Sequence, residues 1–228
     1  MFRDVLKIFE REKEFLKKAG WYVSNGSSYR WWGNLGRPEE IILTAILVQR
    51  SKWECAVKVL ENLRRRGLID FHKLAVFNAG KLEELFKPIG FRKAKARRII
   101  ELSNKIVSIG GLEKLREMDV NVLRSILTSI RGIGFETADA IILYALNKPT
   151  IPVSKHVRRV LRRLGVIRGN EEYESIRKLI LSNLRDLYGL KLFYAGITAV
   201  GKFTCKSRPK CSKCILRDIC RGRANEFC

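Results

Sequence analysis

Four cysteines late in the sequence have a spacing that is typical of a metal site. They follow the pattern Cys205-x5-Cys211-x2-Cys214-x5-Cys220. Cysteine thiolates are ligands of both zinc and iron–sulfur clusters. A disulfide framework is disfavoured, because such frameworks belong mainly to secreted proteins. The spacing therefore predicts a metal or iron–sulfur site, whereas Cys55, alone in an apolar helical pattern, is predicted to be a core residue.

A second motif places two glycines around one apolar residue, in the segment Ile130-Arg131-Gly132-Ile133-Gly134. Glycines permit a tight turn between the apolar helices that are predicted on either side. The first amides of the second helix then point outward with the positive end of the helix dipole behind them, which suits a phosphate. Taken alone, the motif is equally compatible with an ordinary turn between two helices.

The composition of the 228-residue chain indicates a polyanionic partner. Lys and Arg number 46 against 23 Asp and Glu, which gives a formal net charge of +23. Such a surplus favours nucleic acid over an ordinary neutral metabolic enzyme. Membrane-surface binding usually uses a polybasic block, whereas these cations are spread along the chain. Heat adaptation is the remaining alternative, but by itself it predicts balanced charge.

Apolar residues recur at helical spacing, which predicts an all-α fold of roughly ten helices. The first helix begins at Phe2 with a charged continuation to Lys18. The others cover residues 41–49, 53–63, 81–86, 94–106, 112–116, 120–130, 135–146, 157–164, 173–184 and 190–200. No apolar stretch approaches the roughly 18 residues of a membrane helix, and no signal segment is visible. We expect a monomeric, cytoplasmic, nucleoid-associated protein of a thermophilic prokaryote, with no membrane partner.

Residues 130–141, residues 148–156 and the cysteine segment together resemble the helix-hairpin-helix DNA glycosylases of the endonuclease III superfamily. The resemblance is closest to the 3-methyladenine DNA glycosylases that carry an iron–sulfur cluster, and it extends from about Tyr29 to Cys220. It implies two interlocked helical domains. Residues 39–146 would form a six-helix-barrel-like domain that ends in the hairpin, and residues 1–38 with 147–228 a helical domain with the cluster loop.

The resemblance implies a [4Fe–4S] cluster that is held by Cys205, Cys211, Cys214 and Cys220. The first gap has five residues here and six in the family. Zinc is the alternative, but a four-cysteine zinc site usually has two separated Cys-x2-Cys pairs. Only one such pair is present, so the iron–sulfur cluster is favoured.

The resemblance also assigns residues to double-stranded DNA with a damaged base. Gln49 matches the residue that wedges into the duplex, although a polar residue at a helix end is an equal alternative. Trp31 and Trp32 match the entrance of the base pocket, where an indole can stack on an extruded base; capping of the core is the alternative. Gly33 replaces the family proline that follows them.

Backbone contacts to DNA are expected from the hairpin and from two basic segments. The expected contact residues of the hairpin are Arg131, Gly132 and Gly134. Lys155 is expected to bind DNA as well, with an approach to an abasic sugar as its alternative role. The segment from Phe91 to Arg98 resembles a basic helix of the family, which binds phosphate or is merely solvated.

Two positions depart from the pattern of the catalytic residues. Bifunctional family members attack the sugar with a lysine where this chain has Glu136, so lyase chemistry at that position is excluded. The family aspartate, which stabilises the cationic sugar, is replaced by Ser154. Aspartate and serine both cap helices, so the serine keeps the helix start and loses the charge. Either the natural protein works without the aspartate or the residue was changed to trap a complex.

The leading hypothesis is therefore a monofunctional DNA glycosylase that flips a damaged base, best an alkylated purine, and hydrolyses its N-glycosidic bond. Ser154 and Glu136 are its candidate catalytic positions, and Asp139 is a further spare carboxylate. The rival hypothesis is a lesion-binding or structure-binding DNA protein that has the same scaffold and no catalysis. The replacement of the aspartate by Ser154 is the feature that favours the rival.

Overall fold

The protein, described by a computed structural model over residues 1–224, is helical throughout that range. It contains thirteen α-helices, α1–α13, and three short 3-10 helices, η1–η3. Within the described range no strand forms, and Trp21 and Trp32 make one isolated antiparallel bridge. None of the described helices is long and apolar enough to span a membrane. The predicted all-α class is confirmed.

The chain divides into two compact units. The first unit combines Met1–Asn34 with Pro149–Cys228, and the second is Leu35–Lys148. The second unit is therefore one continuous stretch of chain, whereas the first is built from two stretches that are distant in sequence.

The second unit contains eight helices. They are α3 (Pro38–Leu47), α4 (Trp53–Arg65), α5 (Phe71–Ala75), α6 (Ala79–Leu85), α7 (Arg92–Ile109), α8 (Leu112–Glu117), α9 (Val120–Thr128) and α10 (Phe135–Tyr144). α3 is central: Pro38 lies in its first turn, where a missing N–H is tolerated, and every residue of 41–47 is buried. It packs against α4, α7 and α10. α7 packs against α5 and α6 and ends at Gly110, which has a φ of +101°.

The first unit is organised around one long apolar helix. Its elements are α1 (Phe2–Arg11), α2 (Lys13–Lys18), α11 (Lys155–Arg163), α12 (Tyr173–Asn183), α13 (Leu187–Phe203), η1 (Cys211–Lys213), η2 (Arg217–Ile219) and η3 (Arg221–Ala224). α13 packs against α1, α2 and α11. Gly196 lets the ring of Phe9 lie directly on α13, since a Cβ there would be 2.2 Å from the ring.

Two local features differ from the sequence prediction. The first helix does not continue to Lys18, because Glu12 leaves the helical conformation and separates α1 from α2. α5 was not predicted. It has five residues, of which only Phe71 and Leu74 are buried, so it is too short to show a helical period.

Candidate functional site

The turn between α9 and α10 forms the helical hairpin that the sequence predicted. Gly132 has a φ of +90°, which glycine adopts without steric cost. Ile133 is buried, and its amide donates to the carbonyl of Ile130 at 3.0 Å. Gly134 is the N-cap of α10 and provides no side-chain cap. This exposed, glycine-lined helix start has the geometry that suits a phosphate.

A buried ion pair joins the two helices of the hairpin. Nε of Arg124 on α9 lies 3.0 Å from Oδ1 of Asp139 on α10, and the side chains are 10% and 0% exposed. The guanidinium also lies over the ring of Phe135, 4.9 Å from its centroid. Asp139 is therefore inaccessible and paired, and the interpretation of Asp139 as a spare carboxylate for chemistry is wrong.

Gln49, the predicted wedge, is hydrogen-bonded at both ends of its amide, to the hairpin through Nε2 and to Arg98 of α7 through Oε1. Its Nε2 donates to Oγ1 of Thr137 at 3.0 Å and to the carbonyl of Gly132 at 3.4 Å. Its Oε1 accepts from Nη1 of Arg98. Insertion into a duplex therefore requires that these bonds be exchanged for bonds to DNA.

A cavity of about 470 Å³ lies beside Gln49 in the second unit. Glu136, exposed in the first turn of α10, lines it. Glu136, which stands where bifunctional members of the family have a lysine, therefore lies next to Gln49, the predicted wedge. Phe91, 62% exposed with a φ of +56°, also lines the cavity. The guanidinium of Arg50 lies 5.5 Å from the centroid of its ring.

The basic segment at the start of α7 is only partly a solvated or phosphate-binding face. Lys95 is 1% exposed, and its Nζ donates to the carbonyl of Leu47 and to Oγ of Ser51, both at 2.8 Å. Burial, with a smaller contribution from the nearby Arg98, lowers the pKa of Lys95 to about 8. Lys95 thus binds the C-terminal end of α3, and a phosphate-binding role for this residue is wrong.

Ser154 lies in the first unit as the N-cap of α11. Its Oγ accepts from the amide of Val157 at 3.3 Å, and the residue is 4% exposed. The predicted cap is confirmed. The preceding residue is also held, because the amide of Val153 donates to the hydroxyl of Tyr173 at 3.2 Å. Lys155, the next residue, is exposed.

The two candidate base-pocket tryptophans have different environments. Trp31 is fully buried; its Nε1 donates to the carbonyl of Asn25 at 2.8 Å, and its ring meets Tyr188 edge-on at 5.5 Å. Trp32 is half-buried and stacks on Trp21 with the ring centroids 5.9 Å apart. Stacking of a base on Trp31 stays a prediction that requires the ring to be uncovered.

The sequence interpretation missed a buried lysine that contacts the segment before these tryptophans. Lys191 of α13 is 0% exposed, and its Nζ donates to the carbonyl of Ser28 at 3.1 Å. Burial lowers its pKa to about 8. The available signal was a single lysine between Leu190 and Leu192 in a long apolar helix. Lys191 ties α13 to the segment that leads into Trp31.

The four cysteines of the predicted quartet line one small cavity of about 30 Å³. Cys205 follows α13, Cys211 begins η1, and Cys214 and Cys220 directly follow η1 and η2. Burial raises the pKa of the Cys214 thiol, and the neighbouring Cys205 and Cys220 raise it further. The loop therefore gathers the four side chains that were predicted to act together.

Two arginines of α11 hold the start of this loop. Nε of Arg159 donates to the carbonyl of Cys205 at 2.7 Å, and Nη1 of Arg163 donates to Sγ of the same residue at 3.3 Å. In return, the thiol of Cys220 donates to the carbonyl of Arg163 at 3.4 Å. The helix that begins at Ser154 is thus attached directly to the cysteine loop.

The thiols are not arranged as a complete ligand set. Cys205, Cys214 and Cys220 are free, whereas Cys211 is disulfide-bonded. Among the residues that the structure describes, no group of three or more His, Cys, Asp or Glu side chains has the geometry of a metal site. Binding of a cluster by all four cysteines requires Cys211 as a thiolate.

The described part of the chain is helical and has an exposed glycine hairpin, and the sequence has a large cationic surplus. These features define a helix-hairpin-helix protein of the nucleic-acid-binding class. Residues 43–186 match the family described as HhH-GPD superfamily base excision DNA repair protein. The chain belongs to this superfamily, and it is a DNA glycosylase of that superfamily.

Relatives and solved structures agree with this membership. The chain is 34% identical over 197 residues to a Methanocaldococcus jannaschii protein named as a DNA repair glycosylase, a match that covers 85% of this chain and 89% of the relative. It is 32% identical to endonuclease III of Sulfolobus acidocaldarius over 79% of this chain and 80% of that protein. It is also similar to the structure of an H. pylori 3-methyladenine DNA glycosylase bound to 1,N6-ethenoadenine, with a TM-score of 0.70 and 28% identity over 87% and 96% of the two chains.

Proposed function

We propose that the chain hydrolyses the N-glycosidic bond of a damaged base in double-stranded DNA, with an alkylated purine as substrate. The position of Glu136, in a cavity next to Gln49 and the hairpin, carries this proposal. A carboxylate cannot form a Schiff base with an abasic sugar, as a lysine does. The enzyme is therefore monofunctional at this position. The likeness to a 3-methyladenine DNA glycosylase supports the choice of substrate.

The residues of each unit have separate tasks in this proposal. The backbone at Gly132 and Gly134 holds a phosphate of the damaged strand, and Gln49 exchanges its bonds to Thr137 and Arg98 for contacts inside the duplex. Extrusion of a base costs a few kcal/mol, and least for a weakly paired lesion. An extruded base then stacks on an aromatic ring, for which Trp32 is the candidate in the first unit.

The chemical step receives no charge from Ser154. Its hydroxyl caps α11 and carries no charge, so it cannot neutralise a cationic sugar in the way a carboxylate does. A lesion that is itself cationic, such as 3-methyladenine, is already a good leaving group and therefore suffers least from this loss. The missing charge thus favours alkylated purines over neutral damaged bases.

We also propose that Cys205, Cys211, Cys214 and Cys220 hold a [4Fe–4S] cluster. Four cysteines around one cavity form the donor set that such a cluster uses. The cluster would supply rigidity to the basic loop between α13 and η3. The chain's own contribution is the pair Arg159 and Arg163, which position Cys205 through its carbonyl and its sulfur.

Duplexes with single lesions test the function. Purified protein is incubated with duplexes that contain 7-methylguanine or 1,N6-ethenoadenine and with an undamaged control, and free base and strand breaks are scored separately. We expect faster release of the cationic 7-methylguanine than of the neutral 1,N6-ethenoadenine, with strand breaks only after alkali. Strand breaks without alkali would contradict the monofunctional assignment.

A second candidate function is lesion binding without catalysis. The observation that favours it is Ser154, which is buried and uncharged at the position of the family aspartate. Tight binding to the lesion duplexes without base release in the same experiment would establish this function instead.

A further inference from the structure

The first unit contains a strongly cationic cavity of about 490 Å³ beside α11. Its wall includes Lys155, Arg158, Arg162, Arg168 and Arg221, and no acidic or aromatic residue is among its described lining residues. The volume is in the range of ligand-binding cavities. A lining that has cations and no aromatic rings fits a ligand that is recognised through its phosphates and not through its bases.

Three of these cations form a row along α11. Lys155, Arg158 and Arg162 are separated by three and four residues and therefore share one helix face. The opposite face is apolar and buried, with Val157 and Leu161 among its residues. Like charges at this spacing repel each other, and α11 contains no acidic residue.

The carboxylate of Glu171, in the loop after α11, bonds mainly to backbone amides. The side chain of Glu171 accepts from the amides of Arg168 and Gly169 at 2.6 and 2.7 Å. Nη1 of Arg158 donates to the backbone carbonyl of this residue, and the charge of Arg158 also contributes to the lowered pKa of the Glu171 carboxyl. The acidic group therefore shapes the loop after α11 and is directed to backbone amides.

Two arginine stems are positioned by glycines on the cavity wall. A Cβ at Gly169, which has a φ of +110°, would be 2.7 Å from Cδ of Arg162. A Cβ at Gly165, which has a φ of +73°, would be 2.9 Å from Cδ of Arg221. The absence of these Cβ atoms lets both stems lie against the backbone. Side chains that are already held in place lose less conformational freedom when a ligand binds.

We propose that this cavity binds consecutive phosphates of the DNA strand, as a second phosphate site besides the hairpin. This inference rests on the proposed function, in which the sugar reacts beside Ser154. The row begins at the next residue, Lys155, and therefore continues from the position of the reacting sugar. Between Lys155 and Arg162 the helix rises about 10 Å at ~1.5 Å per residue. Successive phosphates of one strand advance by about 3.4 Å along the axis of the duplex, so a row of this length parallel to that axis spans about three of them.

The salt dependence of DNA binding tests this site. The Arg158→Gln/Arg162→Gln variant and the unchanged protein are titrated with an undamaged duplex over a series of salt concentrations. Each phosphate contact contributes about 0.9 to the slope of log K against log salt. We expect the slope of the variant to be shallower by about 1.8, and that of Arg158→Lys/Arg162→Lys to be unchanged. If the first variant does not fold, Arg162→Gln alone should lower the slope by about 0.9.

The matched control removes two exposed cations of the same unit outside the cavity, as Lys17→Gln/Lys18→Gln, and should leave the slope unchanged. An unchanged slope in the cavity variant, or an equal loss in the control, would overturn the proposal. Inorganic tripolyphosphate provides a further test. If the unchanged protein binds it and the cavity variant does not, while both have the same salt slope for DNA, the cavity binds a small anion. That result would also overturn the proposal. Base release from damaged DNA is measured in parallel. If the unchanged protein releases no base, the proposed function fails but the phosphate site does not, because the salt slopes are measured with undamaged DNA.

Discussion

The guanidinium of Arg98 occupies the space in which a side chain on Gly132 would begin. A Cβ on Gly132 would lie 1.8 Å from Nη2 of Arg98. The same guanidinium donates to the carbonyl of Arg131 at 3.0 Å and to Oε1 of Gln49. One side chain of α7 thus links the hairpin turn to the predicted wedge, and this link exists only because residue 132 has no side chain.

Substitutions of the two hairpin glycines should have different consequences. In Gly132→Ala the new methyl group clashes with the guanidinium of Arg98, and the alanine must adopt a positive φ. We therefore expect a loss of at least about 1 kcal/mol of stability together with weaker DNA binding. A Cβ on Gly134 meets nothing within 4 Å. Gly134→Ala should therefore lose less stability than Gly132→Ala, through the poorer N-cap alone, and should weaken DNA binding. Thermal unfolding and duplex titration measure the two effects, and equal stability losses in both variants would contradict this account.

Ser154 can be tested for charge and for capping separately. Ser154→Asp keeps the cap and restores a carboxylate, so we expect base release to accelerate by about tenfold or more, equivalent to about 1.4 kcal/mol. Ser154→Ala loses the cap and should cost about 1 kcal/mol of stability with little change in the chemical step. Single-turnover base release and unfolding are the measurements. If Ser154→Ala abolishes release while Ser154→Asp is inert, the serine itself takes part in the reaction.

The cysteine loop predicts a coloured protein. Protein purified without air should be brown and contain iron, and Cys214→Ser should lose both properties because the cluster needs all four thiolates. Cys55→Ser is the matched control, since Cys55 lies in α4 outside the loop. Iron analysis and visible absorption provide the measurement. A colourless protein with stoichiometric zinc would show that the loop holds a different metal.

The buried pair of Arg124 and Asp139 should be structural. Asp139→Asn leaves the guanidinium buried without its counter-charge, and we expect a loss of about 3–5 kcal/mol. Replacement of both residues by apolar ones, Arg124→Met with Asp139→Leu, should lose less than the single change. Denaturant unfolding of both single variants and the double variant measures the coupling. Additive losses would mean that the two side chains do not interact.

The low pKa of Lys191 predicts a pH dependence of stability. Between about pH 8 and the ordinary lysine pKa near 10.5, the unfolded chain binds more protons at this residue than the folded chain. The free energy of unfolding therefore rises with pH in this window, because the cost of a buried charge is relieved above pH 8. Lys191→Met should reduce that rise, and Lys95, with a similarly lowered pKa, supplies the part that remains. Equal pH slopes in the two proteins would contradict the assignment.

The sequence predicted the features that depend on local pattern. Helical periodicity gave the all-α class, the glycine spacing gave the hairpin, and the residue before an apolar helix was correctly interpreted as the cap Ser154. Features that depend on which way a side chain points were missed. Lys93 and Lys95 are indistinguishable in sequence, yet only Lys95 is buried, because it alone faces the end of α3. Asp139 was misjudged for the same reason, since its partner Arg124 lies on another helix.

The position of Phe9 has a consequence for how the protein is made. Its ring rests on Gly196, so α1 acquires this apolar partner only after residue 196 has left the ribosome. The second unit, 35–148, is one uninterrupted stretch and is free to fold during synthesis. Until α13 emerges, the apolar face of α1 lacks the helix on which it packs. Translation pauses between α10 and α13 should therefore prolong the aggregation-prone stage and leave the folding of the second unit unaffected.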